Sequence, residues 1–482
     1  MGDNNSAIHI RGWESVIILF SILVVIGSSL FLFEAEPHVP IFIVILLLIT
    51  WGKLRKFEWK TIENGMIKGV QSGIVPVIIF MLIGVLIAVW MKSGTIPTLI
   101  AFSFEIISIE YFLLSVFLVT AIIGISIGSS FTTASTIGVA FMALGTALDF
   151  NLAMVAGAVV SGAMFGDKMS PMSDTTNLAS SVCKVDLFEH IRHMLWTTIP
   201  AFIITGIIFF TISSGAETAN ISQVEAWIEA FASVTTVHWL AMLPAIVMLF
   251  AAIKKLPAIP TMILGIVSGV AVSVVLQQGG VNISEWMSLI QNGFEASTGN
   301  EQVDDILSSG GIQSMMWAVS LLLLALSMGG ILSELNVIQS LMSAIHKLVE
   351  TRGKIVLSTV LSGIGINLSL GEQYMSVVLT GEAYERRYKE MGYTGKHLSK
   401  VLESGGTVIN PLIPYGVSGV FMASVLNVPV LSFAPFAFFC LLCPIITVIY
   451  GFTGVSMKKQ QKITVDKEED DQKTNELVSN IS

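Results

Sequence analysis

Charge is what this chain has least of. Lys, Arg, Asp and Glu make up 12% of its 482 residues, where a soluble domain carries about 25%. So few charges cannot clothe a soluble protein of this size. The basic residues are also unevenly spread, with no Lys or Arg between Lys255 and Lys347. The formal charge of −9 comes largely from loops and a terminal run, KEEDDQ (Lys467 to Gln472), so there is no nucleic-acid footprint. Cysteine numbers three. Cys440 and Cys443 have the CLLC spacing that can signal redox or metal chemistry. They sit in FAFFCLLCPIITVIY without His or other ligands nearby, and are read as small apolar packing residues. Among seven histidines, His190 and His193 in HIRH lack an evident third ligand. They are read as solvated residues of an inner loop, not as a metal site. No G-x-x-x-x-G-K-[S/T] loop occurs, which excludes a nucleotide-driven pump. The alternating segments of a β-barrel are missing too.

What is abundant is apolar sequence, 53% of the chain. Runs of roughly 18 to 22 residues recur, each long enough to cross ~30 Å of hydrocarbon as a helix. The fold class is therefore an all-α polytopic membrane protein. Spans are expected at about 15–33, 38–51, 73–91, 111–127, 152–165, 195–213, 237–253, 257–276, 313–332, 355–370 and 431–455. The first, ESVIILFSILVVIGSSLFLF, is too long for a cleaved signal and is read as a retained span. Two further stretches, 129–148 and 402–426, are rich in Gly, Ser, Thr and Pro. They suit broken or re-entrant helices, whose free backbone groups must be covered by protein or water.

Lys and Arg set the orientation. KLRKFEWK (Lys53 to Lys60), ERRYKEMGYTGKHLSK (Glu385 to Lys400), the Lys254–Lys255 pair and the segment with Lys347, Arg352 and Lys354 are basic. The loop Gln277 to Gly311 is acidic, with Glu285, Glu295, Glu301, Asp304 and Asp305. By the positive-inside rule the basic loops and both termini are cytoplasmic and the acidic loop is external, with Lys92 the one basic residue clearly outside. Similar motifs fall on opposite faces. IENGMIKG (Ile62 to Gly69) leads a span from the inner side and IQNGFEAS (Ile290 to Ser297) leads one from the outer side. Further along, GDKMSP (Gly166 to Pro171) matches GTVINP (Gly406 to Pro411). Shared order, spacings of about 230 to 240 residues and reversed charge predict two inverted-topology repeats. The repeats are expected over 52–215 and 278–457. N-terminal spans (1–51), connecting spans (216–277) and a charged, disordered cytoplasmic tail (458–482) lie outside them.

GDKMSPMSDTTN (Gly166 to Asn177) is polar directly after an apolar run. Pro171 breaks the helix and frees carbonyls on the preceding turn, among Asp167, Ser170, Ser173, Asp174, Thr175, Thr176 and Asn177. Its counterpart, GGTVINPLIPYGVSG, carries Pro411 and Pro414 with Thr407, Asn410 and Ser418. All of these offer oxygen, the ligand atom of hard cations. One or two carboxylates with hydroxyls, amides and freed carbonyls suit Na+. A buried carboxyl can also be neutral near cellular pH. The shift of about three units this needs is roughly 4 kcal/mol, close to the ~2.5–3.5 kcal/mol cost of an ionised Asp at a helix centre. Proton and Na+ then compete for one carboxylate, which is enough to couple them.

Lys168 either pairs with a carboxylate or snorkels to the inner interface. GISIGSSFTTASTIGVAFMALG (Gly124 to Gly145) is either a close-packed G-x-x-x-G helix or a hairpin lining the ion path. Its repeat mate is GIGINLSLGEQYMS (Gly363 to Ser376), where Glu372 is a second proton carrier or a surface group. Glu334 and Glu403 are weaker candidates, expected mainly at the interface. The transport-site candidates are Asp167 and Asp174 first, then Ser170, Asn177, Thr175, Asn410, Thr407 and Glu372.

SGAMFGDKMSPMSDTTNLAS (Ser161 to Ser180) resembles the signature of the NhaC-type Na+/H+ antiporters. LESGGTVINPLIPYGVSGVFMASVLNVP (Leu402 to Pro429) resembles the matching segment of their second half. The resemblance covers most of Trp51 to Phe452 and implies the broad ion-transporter superfamily, with paired hairpins. It implies Asp167 and Asp174 as leading ion residues and Na+ and H+ as cargo at the cytoplasmic membrane, with no cofactor and no catalytic residues. Glu372 stands where relatives would carry Asp. The family also contains MleN-type antiporters that exchange proton-coupled malate for Na+ and lactate, which is the second reading. Lys168 is the only Lys or Arg in the motif for a dicarboxylate to meet. The partners implied are Na+, H+ and the lipid bilayer, with small organic acids on the second reading, no nucleic acid, and a homodimer left open. A channel would need symmetric pore rings. An intramembrane aspartyl protease would bring its two Asp from facing helices, not from the two sides of one break.

Overall fold

The computed structural model describes residues 10–33, 35–99, 109–213, 237–254, 256–276, 282–295, 310–345 and 351–457. Glu301, Asp304, Asp305, Lys255, Lys347 and the 458–482 tail lie outside the described residues. The first half contains α1 (Gly12–Leu32), α2 (His38–Leu54), α3 (Trp59–Ser72), α4 (Ile74–Lys92) and α5 (Phe112–Ile127). Helix α6 runs through Ser130–Thr133, a π turn at Ala134–Gly138 and Val139–Ala147, followed by α7 (Leu152–Met169), α8 (Asp174–Val182) and α9 (Leu187–Ser213). Next come α10 (Leu243–Ile253), α11 (Ala258–Leu276), α12 (Ile283–Asn292), α13 (Met316–Glu334), α14 (Val337–Ile345), α15 (Arg352–Leu370) and α16 (Gln373–Glu390). Helix α17 (Gly395–Leu402) continues through a π turn, Glu403–Thr407, and a 3-10 turn, Asn410–Leu412, before α18 (Val417–Leu426) and α19 (Phe438–Thr453). Among the described residues seven helices are long and apolar enough to cross a membrane, or nine if two bent pairs each count as one span. The polytopic all-α expectation is borne out.

Most expected spans coincide with helices to within a few residues. One correction concerns HIRH, which is the start of α9 and not a loop. The Asp186 carboxylate accepts the Phe188 and Glu189 amides at 3.0 Å each and starts the helix well before the apolar run. His190 is fully buried with Nδ1 2.7 Å from Ser399 Oγ, and the His193 ring packs edge-on to His397. Helix α16 was not expected either, because its second half is charged. Those charges pair along the helix, Lys389 with Glu385 at 2.7 Å and Arg386 with Glu390 at 2.8 Å.

Two stretches of the chain share one plan. Helix α5 ends at Gly128 with φ 73°, and α15 ends at Gly371 with φ 69°, a left-handed turn that glycine makes without strain. The next residue caps the helix that follows: Ser129 Oγ accepts the Thr132 amide at 3.3 Å, and Glu372 Oε2 accepts the Met375 amide at 2.7 Å. Each such pair of helices is followed by a helix, a four-residue break and a short helix. The landmarks recur at one interval of 243 residues: 128 and 371, 130 and 373, 152 and 395, 169 and 412, 174 and 417. Contacts recur with them, since Gly162 packs on the Phe117 carbonyl and Gly405 on the Val360 carbonyl.

This register differs by three residues from the alignment of GDKMSP with GTVINP. Helix α7 stops at Met169, ahead of Pro171, whereas Pro411 sits inside the last turn before its break. The two prolines therefore do not occupy equivalent places. Asp167 stands opposite Asn410.

Candidate ion site

Close helix packing builds the first half of the site. A Cβ on Gly166 of α7 would stand 2.5 Å from Gly124 Cα of α5, and one on Gly128 would stand 2.7 Å from Met172 Cβ and 2.8 Å from Ser170 Oγ. Glycine at these positions lets the α5–α6 tip rest on the α7–α8 break. The Gly124–Gly145 segment is thus close-packed, with a left-handed turn at Gly128. The contact carries Ser130 to Asp167, and Ser130 Oγ donates to Asp167 Oδ2 at 2.8 Å. Asp167 is 4% exposed, and its Oδ1 is buried with no hydrogen bond of normal length, although the Ser173 side chain also interacts with the carboxylate. A buried carboxylate oxygen without a donor is costly, so this atom marks a place where something else belongs.

Around it, Ser170 and Ser173 are buried. Ser173 Oγ caps α8 through the Thr176 amide at 3.3 Å and lies 2.9 Å from Thr175 Oγ1. Asn177 faces the break instead: its Nδ2 donates to the Pro171 carbonyl at 2.9 Å and the Ser173 carbonyl at 2.7 Å. It satisfies the Pro171 carbonyl in the break and ties it to the Ser173 carbonyl at the start of α8, and so acts as a clasp.

Asp174, at the start of α8, is the exposed member. Its Oδ1 accepts the Thr175 amide at 2.9 Å and its Oδ2 accepts the Tyr374 hydroxyl from α16. The two halves of the chain meet there. Asp174 interacts electrostatically with Asp167, Glu372 and Glu403. Tyr374 was missed in the sequence, since a lone tyrosine beside Glu372 and Gln373 carries no motif. Removing its hydroxyl in Tyr374→Phe deletes a hydrogen bond to a charged acceptor, worth about 1.5–3 kcal/mol. At a factor of ten per ~1.4 kcal/mol, the Na+ KM in proteoliposomes should rise at least about tenfold. An unchanged KM would remove Tyr374 from the site.

The second half is arranged differently. Asn410 Nδ2 donates to Asn367 Oδ1 at 2.9 Å and to the Gly371 carbonyl at 3.3 Å, and its Oδ1 accepts the Ser418 amide at 2.7 Å. Where Asp167 has a bare oxygen, its counterpart has both ends of its amide engaged by protein. Thr407 goes with Glu403, donating to Oε2 at 2.6 Å. Glu403 is fully buried with Oε1 unpartnered, and Glu372 is 5% exposed. The interfacial expectation for Glu403 is therefore corrected: α17 is packed by protein on every side through this turn, which one sequence cannot reveal. Lys168 is 2% exposed with Nζ 3.5 Å from Ser404 Oγ, so it neither snorkels nor ion-pairs, although it interacts electrostatically with Glu403. Cys440 and Cys443 are buried free thiols, as expected of packing residues.

Residues 162–455, which hold both breaks, match the model of the Na+/H+ antiporter family. The chain belongs to this family. It is 42% identical over 449 residues to the Na+/H+ antiporter NhaC of Alkalihalophilus pseudofirmus, covering 93% of this chain and 97% of that one. It is 32% identical over 449 residues to the malate-2H+/Na+-lactate antiporter of Bacillus subtilis (90% and 95% covered). It is 35% identical over 414 residues to the arginine/ornithine antiporter ArcD of Halobacterium salinarum (84% of each). The NhaC resemblance carried by the two polar segments is borne out, and the protein is a multi-pass membrane antiporter.

Proposed function

We propose that this antiporter exchanges Na+ for H+ across the cytoplasmic membrane by alternating access, with Asp167 and Asp174 as the carboxylates for which the two ions compete. The observation that carries this reading is the bare, buried Oδ1 of Asp167 beside the Ser130 hydroxyl, at the contact of a hairpin tip with a helix break. A desolvated Na+ takes oxygen ligands, and Asp167, Ser170 and Ser173 supply them from the end of α7 and its break, with Ser130 supplied by the start of α6. A proton on Asp167 neutralises the same group when Na+ leaves. Asp174 is placed to pass ions between the solvent side and Asp167. Asn177 and Asn410 hold the two breaks closed in this scheme and do not ligate.

Alternating access follows from two inverted repeats, 52–215 and 278–457, rocking about the site they share. The constant 243-residue interval supports that reading. The distribution of Lys and Arg places Lys53–Lys60, Lys396 and both termini inside. The Lys92–Glu285 ion pair joins the one external Lys to the acidic side.

A second reading, exchange of organic acids on the same scaffold, is favoured by one observation. Lys168 is buried close to the first break and makes no ion pair, so a carboxylate substrate could neutralise it. Purified protein in liposomes with an internal pH dye separates the two. Na+ alone should dissipate an imposed proton gradient. A response only when malate and lactate occupy opposite faces would replace the first reading by the second.

A further inference from the structure

We propose that the cavity between α3, α13 and the α15–α16 tip is the vestibule by which a hydrated monovalent cation reaches Glu372 from the cytoplasm, with the Lys68–Glu334 ion pair as its guard. This rests on the exchange reading and its orientation, and adds the route by which water and cation enter.

The cavity holds about 240 Å³, several times the ~30 Å³ share of one water. Its polar lining is Lys68, Ser72, Ser333, Glu334 and Glu372. Lys68 Nζ and Glu334 Oε2 meet at 2.8 Å with the lysine side chain 65% exposed, whereas Glu372 is nearly buried. The wall is rigid, because α3 and α13 touch backbone to backbone: a Cβ on Gly330 would stand 2.1 Å from the Gly65 carbonyl oxygen.

The repeat supplies an internal comparison. Leu370 and Met375 flank this tip, and Ile127 and Thr132, 243 residues earlier, flank the other. A cavity of about 180 Å³ lies at that second place too, but Met248 and Leu249 of α10 help to line it, and among the described residues Thr132 and Thr136 bring its side-chain hydroxyls. Small apolar cavities stay dry. Equivalent places beside the two tips thus differ in one respect, and only the one near Glu372 suits an ion with its water. The guard is weak enough to yield, since exposed ion pairs contribute no more than about 1 kcal/mol. A cation on Glu334 displaces the Lys68 ammonium and stands next in line for Glu372.

The test places single cysteines at Ser333 and Ser72 in the full-length protein. Cys183, Cys440 and Cys443 are buried, so the wild type is the unlabelled control. A membrane-impermeant cationic methanethiosulfonate is applied to everted and to right-side-out vesicles. Ser333→Cys and Ser72→Cys should label only in everted vesicles, with saturating Na+ slowing Ser333→Cys at least threefold, and labelling should remove most of the remaining Na+-driven proton movement. No labelling from either side, while Glu63→Cys on the exposed face of α3 labels, overturns the vestibule. Labelling from the outer side, or labelling without effect on transport, also overturns it. Glu334→Gln should raise the Na+ KM by about tenfold through loss of local cation concentration, a larger change than in kcat, and an unchanged KM rejects the guard. Cysteine variants that label as expected, in a protein whose wild type moves no protons with Na+, strike the exchange reading and leave the vestibule standing.

Discussion

Asp167→Asn is expected to insert and fold normally while losing at least about 99% of Na+-driven proton exchange. The size follows from leaving a buried Na+ without its charge partner, roughly 3–5 kcal/mol, at a factor of ten per ~1.4 kcal/mol. The amide also cannot be protonated in place of the cation, so competition ends together with binding. Folding should survive because the chain already contains the answer. Asn410 occupies the equivalent place 243 residues on, with its amide fully hydrogen-bonded, and Ser130 Oγ can donate to an amide oxygen as it does to Asp167 Oδ2. The measurement is dye quenching in proteoliposomes at matched protein density, with size-exclusion profiles as the folding control. Exchange above a tenth of the wild-type rate would reject Asp167 as the shared carboxylate. Asp174→Asn should lose exchange as well, since it is the group in electrostatic contact with all three other carboxylates.

Gly166→Val should fail at the level of the fold. A Cβ at Gly166 would stand 2.5 Å from both Cα and carbonyl carbon of Gly124. These are backbone atoms in two packed helices, so no side chain can swing aside. Overpacking of this kind costs about 3 kcal/mol or more, and whatever protein remains must separate α5 from α7, which withdraws Ser130 from Asp167. Gly365→Ala on α15 is the matched control, because nothing lies within 4 Å of its added Cβ. There the expected change is a gain of up to about 1 kcal/mol from helix propensity. Thermal aggregation midpoints of the two variants in detergent decide the matter. A Gly166→Val protein as heat-resistant as the wild type would contradict the close crossing on which the site depends.

The fold class was legible because the bilayer imposes it locally. Twenty apolar residues in a row identify a span without reference to anything else, and expected spans such as 73–91 and 152–165 met Ile74–Lys92 and Leu152–Met169. The breaks were legible as well, since proline and runs of Ser and Thr act on their own turn of backbone. Misreadings arose where neighbours decide. HIRH is polar in isolation, and it takes α17 beside it to bury His190, while Arg192 stays exposed. Glu403 looks like an interfacial acid until α17 is seen to be enclosed. The helix Gln373–Glu390 hid behind its charges, which neutralise one another along its surface.

By itself the sequence determined that this chain spans a membrane with many helices, that two proline-broken polar segments interrupt them, and that it belongs with the Na+/H+ antiporters. Each of those facts depends on residues close together along the chain. Which oxygens meet was left to the tertiary structure. Ser130 reaches Asp167 because two glycines let helices cross at backbone contact, and Tyr374 reaches Asp174 across 200 residues. The register that sets Asp167 opposite Asn410 depends on where each helix stops, and a helix stops according to what caps and packs against its last turn.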